Sequence, residues 1–377
     1  MATAEEWRAI AVASIERLLS TELAVTQREM EAKLSERKAG PPDGRLRPQP
    51  HHLTSARQRL LQAGVLEQIK ESTRGKDRTV TTYSLAPGSK RAQRAAARKR
   101  LLQARYLSWG QQSSEWGEAA PIPAALERVI HASLLQAAPH GYHLLRPDGG
   151  EVDRIFGAKV PGGPLDNAAH YTGVGSDGMP LAPVTMPIEA KNLREWVYPQ
   201  TQELYQLLDK SARLQQARPT ARLMPLLVCR QMHPLAGVMA KQMGFHIIPT
   251  WRQYVRPVVT RYDETAQRKF EEVRDELGYN LEPHEDAVEQ MVNQFTKTLP
   301  KRTEEASQRW AAICAREDVI EHLHQLRDDQ LMYAERREVI AELGQAVGEV
   351  LGEEARWTGQ PTEDEDEPDY ERDRGDD

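Results

Sequence analysis

The chain has 377 residues, of which 39% are apolar and 28% charged, with a formal net charge of −6 and only two cysteines. These values exclude a disulfide-stapled secreted domain and a transmembrane protein, because no apolar run approaches the length of a membrane span. They predict instead two or three soluble domains, and the polar, acidic start predicts a cytoplasmic protein without a membrane partner.

Charge is distributed unevenly along the chain. Residues 1–105 hold 21 Lys and Arg against 11 Asp and Glu, a net charge of +10, whereas residues 363–377 hold ten acids against two bases. A basic N-terminal region is typical of proteins that bind nucleic acid. The acidic end predicts a disordered, solvated tail over 356–377.

The N-terminal quarter reads as three helices followed by a hairpin. Apolar spacing and turn residues predict these elements in order: helices over 4–19, 26–36 and 53–63, then strands over 65–69 and 79–85. The run from Leu53 to Leu66 reads as the third helix leading into the first strand. This order resembles a winged helix domain, which we assign to 1–107 together with an Arg- and Ala-rich connector helix at 89–106.

The resemblance to a winged helix implies that DNA is the partner of this region. Arg57 and Arg59 on the third helix are then expected to face a groove. Arg74, Lys76 and Arg78, in the turn of the hairpin, are expected to contact phosphates. A solvated helix and a solvated turn are the alternative explanation for each of these side chains.

Strand and helix patterns alternate in the next region, 120–258. The predicted elements are a helix over 124–138, strands over 142–145 and 151–156, a long Gly- and Pro-rich loop over 157–187, a strand over 188–192, a helix over 200–216, a strand over 223–229, a helix over 235–243 and a strand over 245–248. Such alternation predicts an α/β sheet.

Two of these strands carry acidic residues in a pattern that indicates chemistry. Side chains two apart in a strand share a face, so Glu189 and Lys191 point the same way. If the two strands pair, Asp153 lies beside them. Adjacent carboxylates repel unless a cation joins them, and a nearby ammonium can hold a phosphate oxygen. The pattern therefore favours metal-assisted hydrolysis of a phosphodiester.

A helix with Glu127, then Asp153, then Glu189-Ala190-Lys191, then helix–strand–helix–strand, resembles the PD-(D/E)xK nuclease superfamily over 124–250. The resemblance implies a restriction endonuclease-like mixed sheet flanked by helices. It implies that Asp153, Glu189, the Ala190 carbonyl and Glu127 hold Mg²⁺ or Mn²⁺, and that Lys191 is the catalytic lysine. Asp148 also follows a proline, but Asp153 is preferred because Asp148 falls in a predicted turn.

Together these patterns predict a Mg²⁺-dependent DNA endonuclease, acting in restriction, defence or mobile-element processing. The alternatives are a winged helix DNA-binding regulator or scaffold with an inactive nuclease-like domain, and an enzyme that cleaves RNA. Charged helices over 259–355 predict a helical C-terminal region that can pair two copies into a homodimer.

Overall fold

The computed structural model describes residues 3–36, 47–72, 79–111, 120–259 and 264–358. The helices in these ranges are α1 (Ala4–Glu22), α2 (Gln27–Leu34), α3 (Pro50–Gln62), α4 (Lys90–Ser108), α5 (Pro121–Ala137), α6 (Gln202–Ala217), α7 (Pro234–Met243), α8 (Glu264–Leu277), α9 (Glu289–Asn293), α10 (Thr303–Ile313), α11 (Glu317–Gln325) and α12 (Tyr333–Leu351). The strands are β1 (Ala24–Thr26), β2 (Leu66–Ser72), β3 (Thr79–Leu85), β4 (Tyr142–Leu144), β5 (Arg154–Ile155), β6 (Ala158–Lys159), β7 (Asn167–Tyr171), β8 (Val184–Val197), β9 (Arg222–Leu223), β10 (Leu226–Met232), β11 (His246–Pro249), β12 (Gln253–Val255) and β13 (Leu281–Pro283).

The chain divides into two compact units. The first holds the described residues up to Pro121 together with Pro257–Glu282, and the second holds Ile122–Arg256 and the described residues from Pro283 onward. The region 259–355, expected to form one helical appendage, is therefore shared between both units. Of the expected acidic tail, 359–377 lie outside the described residues.

The first unit combines helices with a small antiparallel sheet of order β1–β3–β2. Its core is built from the apolar faces of α1 and α3 with residues from the sheet, including Ile15, Leu53, Leu60 and Tyr83. The helices and the β2–β3 hairpin agree with the predicted elements, and β1 is an additional short strand. Helix α8 packs against α4 in the same unit.

The second unit is organised around a mixed sheet of order β11–β10–β8–β7–β4, with β9 beside β8. Strand β8 is parallel to β10 and antiparallel to β7. The mixed α/β class expected from the sequence is confirmed at this level. None of the helices in the described ranges is both long and apolar enough to cross a membrane.

Helices cover both faces of this sheet. Met186 and Ile188 of β8 pack with Leu126 and Val129 of α5 on one face. On the other face Leu227 of β10 belongs to a core that also contains apolar residues of α6, α7 and α10 to α12. The apolar stripes of α11 and α12 are thus used inside this unit, and the homodimer stays a prediction.

The strand pairing expected from the sequence is wrong in one respect. Strand β8 pairs with β7, and the expected partner segment 151–156 instead forms a small hairpin of β5 with β6. Strand β7 lies inside the segment 157–187 that was expected to be a loop. Val152 bridges Leu165 instead of β8. Residues around the hairpin, including Val152, Ile155 and Leu165, are buried in the core that α6 also joins.

Candidate active site

Strand β8 carries Glu189 and Lys191 on the face that α6 covers. Their neighbour Ile188 points to the opposite core, as the alternation of side chains along a strand requires. Helix α6 presents Gln206 and Lys210, four residues apart and therefore on one side of the helix, to this part of the sheet. The fold thus brings a strand acid, a strand lysine and two polar helix residues together.

Glu189 is almost fully buried, with 3% of its surface exposed, and a lysine contacts each of its carboxylate oxygens. The Nζ of Lys191 lies 3.0 Å from Oε2, and the Nζ of Lys210 lies 2.7 Å from Oε1. Burial acts to raise the pKa of Glu189, but the two ammonium groups outweigh burial and lower the pKa below its ordinary value. Glu189 is therefore an ionised carboxylate below the surface.

Asp166 stands beside Glu189 because β7 and β8 pair antiparallel. Asn167 lies opposite Ile188, so the preceding residue, Asp166, falls next to Glu189. Its Oδ2 accepts a hydrogen bond from the main-chain N–H of Ala190 at 2.6 Å. The pKa of Asp166 is raised to about 7, mainly because the side chain is buried and secondly because of the negative charge of Glu189. Near neutral pH a proton and a cation would therefore compete for this carboxylate.

Glu127 is a further acid near Asp166 and Glu189. It lies on α5, which covers the face of the sheet opposite to α6. Glu127 is half-buried, and its main-chain carbonyl accepts a hydrogen bond from the Nδ2 of Asn167 at 3.2 Å. Burial, followed by the charge of Glu151, raises the pKa of Glu127, while Lys191 acts in the opposite direction. Glu127 therefore lies within the same field of charges as the β8 residues.

The structure corrects the position of Asp153. This side chain is exposed, its Oδ1 lies 3.7 Å from a guanidinium nitrogen of Arg146, and its segment does not pair with β8. Asp166 occupies the place beside Glu189 that Asp153 was expected to fill. The main-chain N–H of Ala190 contacts Asp166, but the role of the Ala190 carbonyl as a ligand stays a prediction.

Two residues of the site were missed from the sequence, Asp166 and Lys210. Asp166 precedes a five-residue strand, Asn-Ala-Ala-His-Tyr, whose low apolar content and Gly- and Pro-rich surroundings hid it. The run does not alternate polar and apolar residues, so the sequence offered no clear signal for this strand. Lys210 could be found from its spacing to Gln206, but only after α6 was known to cover β8.

Lys210 joins the two strands that carry the acids. Besides Glu189, its ammonium donates to the carbonyl of Pro164 at 2.6 Å, two residues before Asp166. One buried side chain of α6 thereby holds both the middle of β8 and the segment that leads into β7. This contact fixes the relative position of Asp166 and Glu189.

The donor set suits a small divalent cation. Among the described residues, no group of three or more His, Cys, Asp or Glu side chains forms a ready metal cage. Mg²⁺ needs no such cage, because it is usually held by one or two carboxylates with waters and substrate phosphates. Asp166 and Glu189 are hard oxygen donors of that kind. The raised pKa of Asp166 is a second indication, since a cation relieves the crowding of like charges.

The residues of the first unit that were expected to bind DNA differ in their exposure to solvent. Arg57 is 2% exposed and lies over the ring of Tyr83 at 5.2 Å, which corrects its expected position facing a groove. Arg59 is exposed on α3. Arg74, Lys76 and Arg78 lie outside the described residues.

The basic residues of the connector helix α4 also divide into two groups. Arg98 and Arg105 pair with acids of α8, and Lys99 is buried. Lys90, Arg91 and Arg94, near the start of the helix, are exposed. About half of the positive charge that suggested a DNA contact therefore has an internal partner.

None of the protein-family models, curated proteins or solved structures compared with this chain matches it. The class of the protein must therefore be inferred from its strands and side chains. The most informative arrangement in the second unit is an acid at the start of one strand beside an acid and a lysine on the adjacent strand.

Proposed function

We propose that this protein is a divalent-metal-dependent DNA endonuclease, with a restriction endonuclease-like second unit and a winged helix first unit. The observation that carries the proposal is the meeting of Asp166, directly before β7, with Glu189 and Lys191 on the adjacent strand β8. The order α5, β7, β8, α6, β10, α7, β11 supports the first assignment. The order α1, β1, α2, α3, β2, β3 supports the second.

The side chains divide the work of hydrolysis between them. Asp166 and Glu189 would hold the ion, with the Ala190 carbonyl as a further oxygen donor, and Glu127 would reach it through a bound water. A divalent cation, when bound there, would lower the pKa of a water molecule and offset the charge of the phosphate. Lys191, whose side chain is 19% exposed, can donate to a phosphate oxygen as negative charge develops there.

Lys210 acts in this proposal as a positioning residue. Its side chain is only 9% exposed, and its hydrogen bonds with Glu189 and with the main-chain carbonyl of Pro164 are inside the protein. It therefore keeps the two acids at a fixed separation before substrate arrives. Because it also occupies Glu189 Oε1, it competes with a cation for that oxygen.

The first unit would supply affinity for DNA. Arg59 on α3 and the exposed Lys90, Arg91 and Arg94 of α4 can approach phosphates, which attract cationic side chains regardless of base sequence. Within the second unit, Lys191 takes part in catalysis and Lys210 positions the two acids. Binding and cutting are thus assigned to different side chains and can be measured separately.

The test is incubation of the full chain with supercoiled plasmid in Mg²⁺ or in EDTA, for wild type and Glu189→Gln. We expect nicked or linear product from the wild type in Mg²⁺ only. The variant should retard the same DNA in a gel as strongly as wild type but leave it intact. Thermal melting of both proteins serves as the control for folding.

Two results would overturn the endonuclease proposal. One is cleavage by the folded variant at the wild-type rate. The other is DNA binding by wild type without cleavage of single- or double-stranded DNA or RNA in Mg²⁺ and Mn²⁺. The second result would favour a DNA-binding regulator with an inactive nuclease-like unit, and cleavage of RNA alone would reassign the substrate.

Lys210 gives an independent prediction, because removing a competing positive charge should strengthen cation binding. We expect Lys210→Gln to bind Mg²⁺ about tenfold more tightly than wild type, equivalent to about 1.4 kcal/mol. Calorimetric titration of the full chain with Mg²⁺ alone measures this change. Lys297→Gln, an exposed lysine that has no part in the site, should leave the affinity unaltered. Unchanged or weaker binding in Lys210→Gln would show that Lys210 does not act mainly as a competitor for the cation.

A further inference from the structure

A cavity of the second unit, apart from the β7–β8 acids, contains cationic groups that the proposed reaction does not use. Its volume is about 280 Å³, and it lies where α7, β11 and α10 meet. Its apolar wall includes Phe245 and Ile247, which belong to the core beneath it. Its polar lining consists of Lys241, Arg302 and Arg309 with one acid, Glu305.

The charges of this cavity do not balance. Glu305 is engaged by Arg309 at 3.2 Å, and Arg309 is also paired with Glu353. Lys241 and Arg302 are exposed and have no ion pair with any residue in the described ranges. Two unneutralised cations therefore stand at the rim of an apolar recess.

His246 lies on the wall of the same cavity, near enough to Arg302 to be affected by its charge. Burial, and next the charge of Arg302, lower the pKa of His246 to about 4, so its ring is neutral at physiological pH. A neutral imidazole can accept or donate one hydrogen bond without adding charge. The recess therefore offers apolar surface, a neutral polar group and two cations that form no ion pair within the described ranges.

We propose that this cavity binds a small organic anion, with its phosphate or carboxylate group on Lys241 and Arg302 and its apolar body against Phe245 and Ile247. Arginine suits both head groups, because its planar guanidinium can donate two parallel hydrogen bonds. The volume is close to the lower end of the range for ligand pockets, and a single aromatic ring with its head group fits within it. This site is independent of the endonuclease proposal, since none of its residues contacts the β7–β8 acids.

The probes are phenyl phosphate, benzoate, inorganic phosphate and the neutral benzyl alcohol, titrated into the full chain in EDTA without DNA. Binding is followed by NMR of ¹³C-labelled histidines, with His246→Gln used to assign the His246 signal. We expect saturable shifts of that signal, with a Kd on the order of 1 mM or tighter for phenyl phosphate or benzoate. Whichever of the two binds more tightly identifies the preferred head group. Inorganic phosphate and benzyl alcohol should each bind more weakly, because each supplies only half of the contacts.

Variants assign the binding to the rim cations. Arg302→Ala and Lys241→Ala should each weaken binding about tenfold or more, because each loses a charge-assisted contact. Lys301→Ala removes an equal charge one residue before Arg302, does not line the cavity, and should have no such effect. The proposal is overturned if neither organic anion shifts the His246 signal in wild type. It is also overturned if Lys301→Ala weakens binding as much as Arg302→Ala does.

Discussion

Asp166→Asn is expected to reduce the rate of plasmid cleavage by about 10²–10³-fold, the loss typical of removing one preorganised charge from a catalytic site. Asparagine is a close replacement, because its side-chain oxygen can still accept the hydrogen bond from the N–H of Ala190. What it cannot supply is the negative charge beside Glu189. Initial rates in Mg²⁺, at equal DNA occupancy, measure the effect.

The matched control is Asp153→Asn, which should leave the rate within about twofold of wild type. Both substitutions remove one carboxylate charge from the second unit, but Asp153 is exposed and its nearest ionic partner is Arg146. If Asp153→Asn abolished cleavage and Asp166→Asn did not, the pairing of β7 with β8 would not define the catalytic site. Equal loss in both variants would indicate a general effect of charge on DNA binding, and gel retardation would detect it.

The two aspartates show which part of the site the sequence could predict. Glu189 and Lys191 were assigned correctly to one face of one strand, because alternation along a strand is a local property. The partner of that strand is a non-local choice. Strand β7 is short and rich in alanine, so its position depends on pairing with β8 rather than on its own composition.

The same distinction explains the fold as a whole. The helix–strand alternation from α6 to β11 was predicted element by element, since each element has its own apolar period. The assignment of α8 to one unit and of α10 to α12 to the other was not predicted. A helical period reveals that a face is buried but not which distant segment covers it.

Charge patterns have this limitation too, and α4 illustrates it. Its arginines and lysines looked like a surface for DNA, yet the acids that pair with Arg98 and Arg105 lie on α8, more than 160 residues later. Lys99 is buried among acids that lie 70 and 77 residues earlier in the sequence. A count of positive residues along a helix therefore overstates the charge available to a partner.

The buried contacts of Lys99 lead to the prediction with the largest effect on stability. Its ammonium lies 2.5 Å from Glu29 and 2.9 Å from Glu22, and it donates to the carbonyl of Glu276 at 2.7 Å. Burial acts to lower the pKa of Lys99, but Glu29 and Glu22 outweigh burial and raise it. Lys33 contacts the same three acceptors, so two lysines and two acids form one network among α1, α2, α4 and α8.

Lys99→Met is expected to destabilise the first unit by about 3 kcal/mol, because Glu29, with none of its surface exposed, loses one of its two cations. Methionine keeps most of the side-chain volume, so the loss reports charge rather than a cavity. Hydrogen exchange of peptides from α2 and α4, measured by mass spectrometry, reports the stability of the first unit separately from that of the second. Faster exchange should appear there and not in β8 or β10.

A double variant distinguishes a lost charge partner from a general packing defect. Lys99→Met combined with Glu29→Gln should be less destabilised than the sum of the two single variants, since it removes both members of the pair. Lys90→Met makes the same chemical change at an exposed position of α4 and should alter stability by no more than about 0.5 kcal/mol. Strict additivity of the two buried substitutions would show that Lys99 and Glu29 are not energetically coupled. The first unit would then derive its stability from the apolar core of α1 and α3 instead.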